Sequence, residues 1–158
     1  MLVDVDLPIF KHDPLPQGRR LLHHIRLLKI NSAIFLADVL DCELNMVSLN
    51  DEDAPPPQYD ALSYCWSSAE DEDESADEFV VEGDGIWIII NGQRCKIGHS
   101  LAGAPLRYLR WKGKSEYIWA DGICINQSDD VEKSAQVSIM DQIYRRASRC
   151  YYRPWTRS

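Results

Sequence analysis

The sequence predicts an α/β fold, a single mixed sheet flanked by helices with extra strands at its N-terminal end. Three observations carry that expectation. Short β-branched and aromatic runs recur between residues 25 and 97. The dipeptide Asn91-Gly92 separates two of them and reads as a tight hairpin turn. Helix, strand and helix signals then follow one another in the last third of the chain, as expected where helices pack on a sheet.

Taken in order, residues 1–18 are rich in proline, lack periodicity and read as an arm lying on the domain. Residues 25–30 (IRLLKI) and 39–47 are predicted strands, and 50–58 (NDEDAPPPQ) a loop, because three successive prolines suit neither sheet interior nor helix. Residues 59–66 (YDALSYCW) fit a central strand, or a strand with its exit loop. Residues 67–77 form a polar, acidic surface loop, and strands follow at 79–81, 86–90 and 93–97. A helix is predicted over 101–111 despite Pro105, and a strand over 117–125. The clearest helix spans 129–146. Asp129 and Glu132 have capping-box spacing. Val137, Met140, Tyr144 and Ala147 fall on one face, with Ile143 beside them. No element is legible in the tail, CYYRPWTRS.

The 158 residues suit one domain, and 45% apolar with 27% charged residues is ordinary for a soluble one. The net charge of −8 is local: residues 70–84 hold nine acids and no base, and the remainder carries +1. With no compensating basic patch, nucleic acid is not an expected partner. The five cysteines make no CxxC pair, and His12, His23, His24 and His99 are not spaced with them as ligands, so reduced thiols and no metal are expected. No signal peptide opens the chain and no apolar run approaches the ~20 residues of a membrane span. A cytoplasmic protein without a membrane segment is the expectation. Gly83-Asp84-Gly85 makes no phosphate loop by itself, and the adjacency of His99 and Ser100 makes no triad.

Site candidates gather in YIWADGICINQSDD, residues 117–130. Alternation in a strand puts Asp121 on the face of Trp119 and Ile123. Two readings are open there: a general base or ligand-orienting acid, or an aspartate bound to amides of the next loop. Asn126 and Gln127 lie in the loop before a helix N-terminus, a common ligand position in α/β folds. Glu132 and Gln136 stand one helical turn apart on nearly the same face. Together they line one cleft, or else Glu132 closes a capping box and Asn126 turns the chain.

These stretches resemble the two signature blocks of the fungal heterokaryon incompatibility (HET) domain family. The first is Tyr59, Ala61, Leu62, Ser63, Tyr64 and Trp66 in YDALSYCW. The second, WADGICINQSDDVEKSAQVSIMDQIYRRA at 119–147, is similar at Trp119, Asp121, Cys124, Ile125, Asn126 and Gln127. The likeness continues at Asp129, Glu132, Gln136, Val137, Met140, Ile143, Tyr144 and Ala147. Residues 19–147 are thereby identified as a HET-like domain.

The resemblance implies a fungal effector that triggers programmed cell death in non-self recognition, and a fold distantly similar to the Toll/interleukin-receptor (TIR) domain. Many TIR domains cleave NAD with one helix-borne glutamate. By that analogy Glu132 and Asp121 are the catalytic candidates, with Asn126, Gln127, Tyr64, Trp66 and Gln136 binding substrate. NAD is then a substrate, and no cofactor is expected. The competing expectation is a non-enzymatic module that binds other copies or death-signalling proteins, with Tyr64, Trp66 and the acidic loop at its interface. Ser67 departs from the family's glycine, Pro105 from its helix, and the tail at 148–158 from its further strand. A third expectation is therefore a truncated, inactive copy.

Overall fold

The computed structural model describes residues 6–34, 39–63, 86–97 and 116–152. Tyr64, Trp66, the acidic run, and the elements predicted at 79–81 and 101–111 lie outside them.

The single mixed sheet is observed. Among the described residues it has seven strands: β1 (His24–Ile34), β2 (Val39–Ser48), β3 (Tyr59–Ser63), β4 (Ile86–Ile90), β5 (Gln93–Ile97), β6 (Tyr117–Ala120) and β7 (Arg149–Tyr152). Their spatial order is β5-β4-β2-β1-β6-β3-β7. β1 runs antiparallel to both β2 and β6, β4 and β5 form an antiparallel hairpin, and the β2–β4, β6–β3 and β3–β7 pairs are parallel.

β1 is central, and its sequence shows why. Ile25, Arg26, Leu27 and Leu28 are all buried, so both faces of the strand are covered. It runs four residues beyond the predicted end, because β2 stays paired to Ile34 past a bulge between Ile30 and Ser32. The β4–β5 turn takes the predicted form, with Asn91 at φ 51° and Gly92 at φ 73°. Both values are left-handed, the region that glycine and asparagine tolerate best.

Three expectations about the C-terminal half are corrected. First, the strand predicted over 117–125 stops at Ala120, and Asp121–Cys124 forms a single helical turn, α1. Apolar content alone does not separate a buried turn from a strand. Asp121 is consequently off the alternation that placed it beside Trp119. Second, the helix predicted over 129–146 is two helices, α2 (Asp130–Ser138) and α3 (Met140–Arg146), broken at Ile139 (φ −108°, ψ 7°). Ser138 Oγ donates to Ala135 O (2.6 Å), and bonding back onto the preceding turn favours a bend. The break sends Ile139 and Ile143 inward and leaves Val137, assigned to the apolar face, 53% exposed. Third, the tail supplies β7, which pairs with β3 from Asp60↔Arg149 to Ser63↔Tyr152.

Two apolar clusters cover the two faces of the sheet. One joins Leu28, Cys42, Leu62, Ile88, Ile90 and Ile118, with Phe10 of the arm packed on it. The other joins Ile25, Leu27, Tyr59, Ala61 and Trp119 to Ile139 and Ile143 of the helical segment. Tyr59 Oη fastens that second layer by donating to Ile143 O (2.5 Å). Trp119 meets Tyr144 edge to face, at 5.5 Å between centroids. The arm runs along β5, where Arg94 N donates to Pro8 O (2.9 Å) and Phe10 N to Arg94 O (2.8 Å). Among the described residues, no helix is long and apolar enough to cross a membrane.

Candidate functional site

The polar residues of the 117–136 stretch sit on one passage from β6 through α1 into α2. A helical turn leaves its last carbonyls without intrahelical partners. Asp121 O, the first of the turn, accepts from Ile125 N (3.2 Å), and side chains from three parts of the chain bond to it and to the later carbonyls. Gln127 Nε2 donates to Asp121 O (3.0 Å), His12 Nε2 to Ile123 O (2.7 Å) and Arg26 Nη1 to Cys124 O (3.0 Å). Cys124 Sγ folds back to within 3.4 Å of Ala120 N and 3.9 Å of Ile118 O. Burial pushes its thiol up to about 12, so it stays protonated and unreactive.

Asn126 then turns the chain. Its Oδ1 accepts from Ser128 N (3.1 Å) and its carbonyl from Asp129 N (3.2 Å). Asp129 caps α2, accepting from Val131 N and Glu132 N, both at 3.1 Å. Such a cap is worth about 1 kcal/mol.

The predicted capping box is only half formed. Asp129 N is taken by Asn126 O, and Glu132 does not reach back to it. Its carboxylate meets Arg26 in a two-pronged pair, Nη1 with Oε1 and Nη2 with Oε2, the second at 3.0 Å. Glu132 Oε1 also accepts from Asn126 N (2.9 Å), and Arg26 Nη2 donates to Asp13 O of the arm (2.7 Å). Arg26 is 3% exposed and Glu132 2%. A fork-to-fork pair of this kind fixes position as well as charge.

Of the predicted site residues, Asn126 and Glu132 are brought together through the Asn126 amide. Gln127 pairs with Asp121 through that residue's carbonyl. Asp121 is half-buried, and its Oδ1 accepts from Gly122 N (2.9 Å). Gln136 is fully buried and reaches the opposite way, donating to His24 O (2.8 Å) at the start of β1. Two members of the cluster escaped the sequence reading. Arg26 sat inside IRLLKI as an ordinary strand base. The available signal was its alternation with Leu28, which puts a cation on a face that must be buried. His12 lay in an arm without periodicity and carried no signal.

His12 is half-buried, and desolvation holds it below its usual value of 6.5. Nearby Arg26 lowers it further, while the bond to Ile123 and the charge of Glu132 oppose the shift. The sign follows from proton counts. Between 6.5 and the lower folded value, the unfolded chain binds the extra proton, so folding stability falls as pH drops through that window. His12→Gln is expected to remove this part of the slope, read from urea midpoints measured across the pH range.

The arrangement's chemistry is that of a clamp. A general acid or base must reach substrate, whereas both Glu132 oxygens are engaged under a closed surface. The cleft beside Arg26, lined by Phe10, Asp13, Leu44, Met46 and Asn91, measures about 60 Å³. That is room for water, and far below the ~300–1,000 Å³ of a small-molecule pocket. Among the described residues, no group of three or more His, Cys, Asp or Glu side chains is arranged to hold a metal.

A mixed seven-stranded sheet, with a strand–turn–helix passage locked by a buried ion pair, defines an α/β domain whose signature polar residues are built into its frame. The sequence family behind that frame is clear. The heterokaryon incompatibility protein (HET) family model matches residues 59–154, and the chain belongs to that family. It is 34% identical over 132 residues to heterokaryon incompatibility protein 6, OR allele, of Neurospora crassa, an alignment taking in 78% of this chain. The chain spans 18% of that relative's length. No solved structure matches.

Proposed function

We propose that this chain is an effector domain of heterokaryon incompatibility that triggers programmed cell death, acting by association with its own copies or other death-signalling proteins. One observation supports association over NAD cleavage: Glu132, the candidate acid, is 2% exposed and its two oxygens accept three hydrogen bonds. The enzymatic alternative, carried by the TIR analogy, needs Glu132 to leave Arg26. The association reading needs no cofactor and leaves Asp121, Asn126 and Gln127 to hold the frame.

The test is induced expression in a fungal host, scoring viability and cellular NAD together, beside an assay of nicotinamide release by the purified chain. The expected result is a fall in viability with NAD and nicotinamide unchanged. NAD loss that precedes death, with turnover by purified protein, would overturn the reading in favour of a glycohydrolase. Wild-type growth at good protein levels would instead indicate an inactive copy.

A further inference from the structure

The β4–β5 hairpin carries an aromatic residue that neither core absorbs. Trp87 pairs with Lys96 across the hairpin and Ile89 with Arg94. Alternation sets these four side chains on the face opposite Ile88, Ile90 and Ile97, which are buried. Arg94 lies 5.2 Å from the centre of the Trp87 ring and the Lys96 ammonium 5.9 Å from it, both in cation–π range. The arm extends the patch. Ile9 is bridged to Arg94, so its side chain joins this face while Phe10 turns into the core. Ile9 is 51% exposed and Trp87 38%. The Ile139 and Ile143 layer lies over strands β1, β3 and β6, and its cluster includes no residue of β4 or β5.

We infer that Ile9, Trp87, Arg94 and Lys96 form a docking surface for a second copy of this chain, which engages it through the acidic run of residues 70–84. The inference rests on the association reading and names its surface. Tryptophan and arginine are the residue types that most often anchor protein interfaces, and here they are adjacent and partly open to solvent. A two-fold contact of the patch with itself would bring two cations from each copy together, which like-charge repulsion disfavours. Its complement within the chain is the acidic run, whose nine acids leave the remainder at +1. Patch to acidic run is a head-to-tail contact, and head-to-tail contacts that do not close into a ring continue into longer assemblies.

Sedimentation velocity of the 158-residue chain, over a concentration series at low and high salt, tests this. Wild type is expected to associate, and less so in high salt. Trp87→Ala and Lys96→Glu are expected to weaken association by about tenfold or more. A variant with Glu70, Asp71, Glu72, Asp73 and Glu74 changed to the matching amides should behave alike. Trp87 and Lys96 are exposed, so their variants should keep the fold, which circular dichroism checks. The decisive arm mixes the Lys96→Glu chain with the amide variant. One keeps the acidic run and the other keeps the patch, so the mixture should form dimers and stop there.

Association of Trp87→Ala and Lys96→Glu at wild-type strength overturns the surface and leaves the association reading standing. Failure of the mixture to pair, or a wild type that stays monomeric throughout, overturns the contact between copies. The association reading itself is decided separately, by death without NAD loss.

Discussion

Glu132→Ala is expected to destabilise the fold by about 3–5 kcal/mol, the usual consequence of leaving a buried charge without its partner. Arg26 would remain 3% exposed with a full charge, and Asn126 N would lose its acceptor. Against a typical total stability of about 5–15 kcal/mol, the loss leaves a marginal protein. Chemical denaturation should show a much lower midpoint with little change in slope. The pair Arg26→Met with Glu132→Leu should recover most of the loss, since well-packed apolar replacements of buried ion pairs are often neutral or better. That double variant also bears on function. If it folds and still kills, turnover at Glu132 is not the mechanism. A Glu132→Ala chain as stable as wild type would refute the clamp.

A fragment limited to residues 59–154, the stretch matched to the family, is expected not to fold. It lacks Arg26, so Glu132 would be the unpaired charge. It also lacks β1, which joins β6 to β2 in the centre of the sheet. Ile25 and Leu27 would be missing from one apolar cluster and Leu28 from the other, all three inaccessible in the intact chain. Circular dichroism and amide spectra of the fragment should show no cooperative transition. Adding back residues 6–58 should restore one. A fragment that folds alone would place the centre of stability in the β3–β6–β7 block.

The hairpin at 86–97 was legible to the residue, because Asn-Gly between two apolar runs is a local signal with a local cause. The passage after β6 was not, and the reason lies in the helical stripe. The buried positions are Glu132, Gln136, Ile139 and Ile143, a regular helical progression in which the first two residues are polar. A search for apolar periodicity passes over them and selects Val137, which is exposed. Inward-facing polar residues are detectable only through partners far away in sequence. Arg26 for Glu132 and His24 for Gln136 are such partners, and local pattern cannot reveal them. Residues 149–152 show the same limit. RCYY has β-forming side chains but too short a run to stand out, and it becomes a strand because β3 offers an edge.

The strand order has a consequence for the chain as it is being synthesised. β1 and β2 can zip together as soon as both leave the ribosome, since antiparallel neighbours in sequence close quickly. The second edge of β1 has to wait for Tyr117 and Ile118, its partners opposite Lys29 and Leu28. At about 5–20 residues per second, that is an interval of several seconds or more. Throughout it, one of the most apolar stretches of the protein presents an unpaired edge, with Arg26 still lacking Glu132. Slowed translation between β2 and β6 would lengthen that exposure, and with it the time in which the open edge can pair wrongly.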